Sequence, residues 1–368
     1  MRALILSDYH RLDVVERPRP QPGPGEVLLR LAATGICGSD FHGFTGENGR
    51  RRPGQIMGHE SSGTIAALGP GVDARALPLG APATFNPVVV PAEQAQAYRD
   101  REQHAPGKLV IGVAADVQAA FADYLVVPAR NVLLLSPELP LHLGALIEPL
   151  AVAVHAVRLA DPGPESKVLV VGGGPIGQSV VLALKMAGIS QIALSEPAAD
   201  RRELVAALGV SVLDPAEGPV PEQTAEALGS PADLAIDAVG VSPTIADALS
   251  ATRVGGAVVL VGMGTPTLEI PAFAVSTEER TLSGSFTYTA RDFADATTWA
   301  GENADALAPL VSSTVRPEEA QEAFRSLAAG EGPPGKILVT FDDEPHNDTG
   351  LPAATEHSAE TTRKEMAR

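Results

Sequence analysis

Cysteine is almost missing from this sequence: of 368 residues, only Cys37 is one. A lone thiol cannot close an intrachain disulfide, and it excludes a zinc cluster built from several thiolates. The expected compartment is a reducing one, the cytoplasm. Basic residues are also in short supply, 27 Lys and Arg against 45 Asp and Glu, leaving a net charge of -18. Nucleic acid and anionic membrane would repel such a chain at long range, so neither is expected as a partner. Long apolar runs are lacking as well. The most apolar stretch, Leu141 to Ala160, carries Glu148 and two histidines, short of the roughly 18 uninterrupted apolar residues of a membrane span. Residues 1–14 place Asp8, His10 and Arg11 directly after a short apolar run, unlike a signal peptide.

What is present is enough apolar residue, 45% of the chain, for packed cores in about two domains. Up to Val127 the pattern is one of short β-type runs, among them Ala3 to Leu6, Glu26 to Leu31, Gly63 to Leu68, Ala81 to Phe85 and Phe121 to Val127. The texture changes near Ser166. Val168 to Val171 is continuously apolar, a glycine turn follows, then helical spacing over Ile176 to Met186 and a second short strand, Gln191 to Leu194. Continuous hydrophobicity predicts strands buried on both faces, hence a βαβ unit in a parallel sheet. The alternation continues through a helix at Arg202 to Leu208, a strand at Leu234 to Asp237, a helix at Thr244 to Thr252 and a strand at Ala257 to Val261, and ends near Gly284. The fold class is therefore α/β. Residues 342–368 hold seven acidic and three basic side chains and no aromatic, a composition expected to be disordered.

Gly172, Gly174 and Gly177 form G-x-G-x-x-G between the first strand and the first helix of that unit, with Pro175 and Ile176 opening the helix. The glycines would permit the tight turn, the approach of a pyrophosphate and close packing of the helix on the strand. Glu196 stands at the end of the second strand, 19 residues after Gly177. A carboxylate there accepts from ribose hydroxyls and repels a 2'-phosphate, which favours NAD over NADP; Arg201 nearby leaves some NADP use open.

In the N-terminal part stand Gly35-Ile36-Cys37-Gly38-Ser39-Asp40 and Gly58-His59-Glu60, and Glu148-Pro149-Leu150 closes it. Cys37, His59 and a carboxylate make a mixed sulfur, nitrogen and oxygen donor set that suits tetrahedral zinc with one position left for substrate. A metal so held acts as a Lewis acid on an alcohol or a carbonyl.

These motifs and the G-G-G-P-I-G fingerprint, in this order and spacing, resemble the zinc-containing medium-chain alcohol and polyol dehydrogenases, especially the sorbitol and butanediol dehydrogenase branch. The resemblance runs from Met1 to about Phe341. It implies a mostly-β, GroES-like catalytic domain from residues 1–151 and 288–341, with a doubly wound Rossmann domain at 152–287 inserted between. It further implies that Cys37 and His59 bind one catalytic zinc, with Glu60 or Glu148 as the third protein ligand. Asp40 would orient His59, Ser39 would take the substrate proton, and His42 would pass it to solvent. Arg201 would contact the adenosine ribose and Lys336 the pyrophosphate.

Many relatives carry four structural-zinc cysteines in the lobe from Asn86 to Gly112. Ala92, Ala95, Tyr98 and Pro106 fall there in this chain, so no structural zinc is expected, and Glu93 to His104 is polar and helix-compatible. Gly38 would leave room near the cofactor, with Phe41, Phe44 and Phe85 as candidate apolar walls. The resulting expectation is an NAD-dependent zinc enzyme, a homodimer or homotetramer, moving hydride to or from a secondary alcohol, polyol or cyclitol. Two rivals stay open: a metal-free reductase of the same superfamily acting on an activated C=C bond, and a nucleotide-binding scaffold without turnover.

Overall fold

The computed structural model describes residues 1–47 and 49–341; the expectation for 342–368 lies outside the described residues. Two sheets organise the chain. The first has six strands, ordered Ser211–Leu213, Gln191–Ser195, Lys167–Val171, Ala232–Asp237, Thr252–Leu260 and Thr281–Gly284. Every neighbouring pair is parallel. The order reverses between Lys167–Val171 and Ala232–Asp237, which is the switch point of a doubly wound fold, where ligands collect beyond the carboxyl ends of the strands.

The first strand shows why its sequence reads as an unbroken apolar run. Val168 and Val170 pack into one core, beneath the helices Ile147–Ala160 and Pro175–Met186. Leu169 and Val171 pack into another on the opposite face, with Ile245, Ala248 and Leu249. Successive side chains leave a strand on opposite faces, so helices on both sides demand apolar residues at every position.

The second sheet has seven strands, and its order joins the two ends of the chain. Val311–Val315 and Lys336–Thr340 precede Glu26–Gly35, Glu60–Leu68, Pro82–Phe85 and Val132–Leu134, while Tyr124–Pro128 pairs with Glu26–Gly35. Gly35 lies opposite both Glu60 and Leu338. That register brings the C-terminal strand to the Cys37 and His59 motifs.

Some elements differ from expectation. The helix expected at Thr244 to Thr252 runs Ser242–Ala251, and Thr252 opens the next strand. The polar lobe forms only one helical turn, Ala92–Ala95, and a short 3-10 turn, Glu102–His104, and Asp100 between them adopts a φ of 61°, which no continuous helix accommodates. The lobe is tied down by hydrogen bonds instead. Asn131 donates to the carbonyls of Asn86 and Val88, Arg130 donates to that of Val90, and Glu102 accepts from the Ala290 amide. The apolar stretch Leu141–Ala160 is long and hydrophobic enough to pass as a membrane span, yet 78% of its most apolar 18-residue window is buried inside the fold.

Candidate active site

Cys37 caps the N-terminus of the helix Gly38–Thr45, and its amide donates to Asp40 Oδ2 at 3.2 Å. His59 and Glu60 open the strand Glu60–Leu68, alongside the end of Glu26–Gly35. Donor atoms of Cys37, His59 and Glu60 all lie within 4.8 Å of one another. Gly35 makes this possible: a Cβ there would come within 2.3 Å of Glu60 Oε2. Asp40 Oδ1 is 3.7 Å from His59 Nδ1, behind the imidazole. Glu148, in the first turn of Ile147–Ala160, accepts a 2.8 Å hydrogen bond from the Tyr288 hydroxyl.

The electrostatics of this cluster favour a cation. Asp40, Glu60 and Glu148 are buried beside the thiol, with Lys336 and Arg51 as the buried positive charges. Burial disfavours the His59 imidazolium, but the charges of Asp40 and Cys37 outweigh it and push His59 up to about 10. Burial, reinforced by the charge of Glu60, pushes Glu148 up to about 7 against the pull of His59 and Lys336. Burial and then Glu148 hold the Tyr288 phenol well above its ordinary value. His59 Nδ1 and Glu60 Oε2 are buried without an aligned hydrogen-bond partner, although Oε2 forms a 2.7 Å ion pair with Lys336. Crowded anions and orphaned donor atoms are what a divalent ion satisfies, so the residues fit a bound zinc.

The remaining expected residues fall in different places. Ser39 Oγ accepts from Arg51 Nη2 at 3.2 Å. His42, three residues along the same helix and so on its neighbouring face, is 46% exposed, with Nδ1 3.2 Å from Glu47 Oε2. Lys336, which the resemblance assigned to a pyrophosphate, is turned inward: Nζ donates to Glu60 Oε1 at 2.8 Å and to the Ile36 carbonyl at 3.4 Å. Phe44 and Phe85 are fully buried in two separate cores, so neither is a pocket wall. Phe41 is only partly buried, stacked at 4.6 Å on the His42 ring.

At the other sheet, Gly172 turns with a φ of 98°. A Cβ on Gly177 would fall 1.8 Å from the Gly172 carbonyl oxygen, so only glycine lets the helix Pro175–Met186 abut the turn. Gly174 caps that helix, and the space above it is open as far as Arg201 Nη1, 4.0 Å from where its Cβ would stand. Glu196 accepts from the amides of Gly173 at 2.7 Å and Ala198 at 2.9 Å, which fixes its carboxylate at the lip of the glycine turn. Pro175 and Ile176 form the first helical residues, beneath this opening.

Four contributors escape sequence reasoning. Arg51 reads as the middle of a surface Arg50-Arg51-Arg52 run, and Tyr288 as one more core aromatic. Gln178 donates to both the Gly173 and Pro334 carbonyls, tying the glycine turn to the loop that leads into the strand Lys336–Thr340. Asp237, at the switch point, accepts from Val239, Gly240 and Thr244, while its burial raises its pKa. Only the last carried a signal, an acid at the end of an apolar strand.

Known proteins carry the same two parts. Residues 23–137 match the alcohol dehydrogenase GroES-like domain, and residues 175–302 match the zinc-binding dehydrogenase family. Sorbitol dehydrogenase of Gallus gallus is 30% identical over 353 residues, 94% of this chain and 98% of its own. An alcohol dehydrogenase of E. coli CFT073, solved with NADH, is 26% identical with a TM-score of 0.83, covering 93% of this chain and 99% of its own. A zinc-binding dehydrogenase of Sinorhizobium meliloti 1021, solved with NADP, is 28% identical with a TM-score of 0.83, covering 92% and 98%. With both domain families matched and a relative aligned over nearly its whole length, this chain belongs to the zinc-containing medium-chain alcohol and polyol dehydrogenase family.

Proposed function

We propose that the protein is an NAD-dependent, zinc-dependent dehydrogenase that interconverts a secondary alcohol, polyol or cyclitol with its ketone. The observation that carries this is the gathering of Cys37, His59 and Glu60 donors within 4.8 Å in a buried, anion-rich setting. A metal-free C=C reductase has no use for that donor set, and burying it unfilled is costly. A scaffold without turnover has no use for a hydroxyl beside it.

Cys37 and His59, with Glu60 or Glu148, would hold a single zinc. Bound zinc supplies a Lewis acid for the substrate oxygen, and bound NAD supplies the hydride acceptor. The chain's own groups handle the proton. Ser39, partly buried in the first turn of the helix Gly38–Thr45, receives the proton of the substrate hydroxyl. His42, exposed near the other end, releases it to water, a task suited to a side chain that titrates near neutrality. Lys336 steadies Glu60 and Tyr288 steadies Glu148, so each candidate carboxylate ligand has a resting partner.

Glu196 at the lip of the glycine turn supports NAD over NADP, since a 2'-phosphate there would meet a fixed carboxylate; Arg201 would face the ribose. We divide the chain into a catalytic domain, residues 1–151 and 288–341, and a nucleotide domain, residues 152–287. We further propose a homodimer joined at the open edge of the six-stranded sheet. Thr281–Gly284 is its last strand, and Met263, Ile270, Phe273 and Phe286 are exposed nearby in sequence. Unpaired edges and apolar patches favour association.

The test is elemental analysis beside an NAD reduction assay over an alcohol and polyol panel. One zinc per chain together with polyol-dependent NAD reduction is the expected result. Enone reduction by metal-free protein would overturn it.

A further inference from the structure

Arg51 is the largest fully buried side chain in the described residues, and the proton path described above does not account for it. Its neighbour Arg52 is exposed. Arg51 Nη2 donates at 3.2 Å to Ser39 Oγ and at 3.1 Å to Asp40 Oδ1, while Nε and Nη1 are buried without any partner. A buried guanidinium with unmade hydrogen bonds is a poor way to stabilise a fold, because desolvation costs more than one carboxylate returns and an apolar side chain would fill the volume. Its placement is nevertheless tightly enforced. A Cβ on Gly43 would lie 2.1 Å from Arg51 Cγ, so the helix Gly38–Thr45 sits directly on the arginine stem.

We propose that Arg51 is a positioning residue for proton transfer, holding the Ser39 hydroxyl and the Asp40 carboxylate in one register. A guanidinium only donates, so Ser39 accepts this bond and must offer its own proton elsewhere. The bond occupies one lone pair of Oγ and so narrows the directions in which the serine can offer its own proton. Asp40 is held from both sides, by Arg51 at Oδ1 and by the Cys37 amide at Oδ2. One nitrogen thus links the hydroxyl that takes the proton, the backbone of the thiol ligand and the carboxylate behind His59. This inference rests on the Ser39 role proposed above.

The test measures kcat, alcohol KM, NAD affinity and zinc content for wild type, Arg51→Lys, Gly43→Ala and Ser39→Ala, and for Arg51→Lys and Gly43→Ala in the Ser39→Ala background. Lysine keeps the charge and loses the fork; alanine at 43 presses Arg51 aside without removing it. Arg51→Lys is expected to lower kcat about 10- to 100-fold, with KM, NAD affinity and zinc content near wild type. In the Ser39→Ala background its further effect should be under about threefold, since the two residues act as one unit. Should Arg51→Lys fail to fold, Gly43→Ala carries the same comparison. A loss of equal size in both backgrounds, or a loss that tracks zinc content, would overturn the positioning role and leave Ser39 untouched. Wild-type turnover in Ser39→Ala would instead overturn the Ser39 proton path, and the role of Arg51 with it.

Discussion

Lys336 Nζ lies 2.7 Å from Glu60 Oε2, and both side chains are buried, although 276 residues separate them in the chain. The ammonium offsets a carboxylate of the proposed metal site that folding would otherwise bury without a cation. Burial disfavours the charged lysine, yet the charges of Glu60 and Cys37 more than restore it, so its pKa is raised.

Replacing Lys336 by Met removes that partner and strands the Glu60 charge. Breaking one side of a buried pair costs about 3–5 kcal/mol, so the metal-free protein should melt well below wild type. Zinc takes over the compensating charge, and the difference should shrink in the loaded protein. Thermal melts with and without chelator check this.

Cys37→Ala deletes the only thiol and is expected to abolish turnover and zinc retention while NAD affinity is kept. Steady-state kinetics, elemental analysis and a fluorescence titration with NAD measure the three quantities. Retention of most of the wild-type kcat would rule out the metal mechanism.

Gly177→Ala should produce the reverse pattern. Its Cβ would collide with the Gly172 carbonyl, 1.8 Å away, forcing the helix off the glycine turn. NAD binding should weaken by at least about tenfold, the equivalent of roughly 1.4 kcal/mol, with zinc content unchanged.

Asp292 makes stability pH-dependent through a group outside the candidate metal ligands. Burial raises its pKa, but hydrogen bonds from His155 and Thr289, together with the charge of Arg158, lower it overall. A carboxylate with a depressed folded-state pKa stabilises above its unfolded value, about 3.9, and loses that contribution as pH falls through the folded value. Melting temperature should therefore drop in acid more steeply for wild type than for Asp292→Asn, whose side chain does not titrate.

Phe273, 80% exposed and eight residues before the edge strand Thr281–Gly284, is expected to be covered in the proposed homodimer. Phe273→Asp should shift sedimentation toward the monomer without altering the melting of the chain by more than about 0.5 kcal/mol, the usual range for surface changes. An unchanged dimer would remove this face from consideration.

Legibility followed the range over which each feature is encoded. The strand Lys167–Val171, the glycine turn and the helix Pro175–Met186 are adjacent in sequence, and each leaves a local mark: an unbroken apolar run, fixed glycine spacing, helical periodicity. Cys37, His59 and Glu60 could be singled out because mixed soft and hard donors seldom serve packing. Arg51, Tyr288 and the inward turn of Lys336 left no such mark. An arginine inside an Arg-Arg-Arg run or a tyrosine before a helix reads the same whether it faces water or a buried carboxylate. The lobe at 86–112 behaves alike: its polar composition permits a helix, and the backbone alone decides how much of one forms.

By itself, then, the sequence determined the α/β class and the nucleotide turn and singled out Cys37, His59 and Glu60 or Glu148 as candidate donors, because local periodicity and residue chemistry suffice for those. Tertiary structure alone decided what surrounds the donors. Antiparallel pairing of Lys336–Thr340 with Glu26–Gly35 delivers a cation to Glu60. Close packing of Gly38–Thr45 on Arg51 buries a second cation beneath Ser39 and Asp40. Both follow from chain closure across long sequence separations, and charge compensation in a buried site depends on distance in space, which no local pattern records.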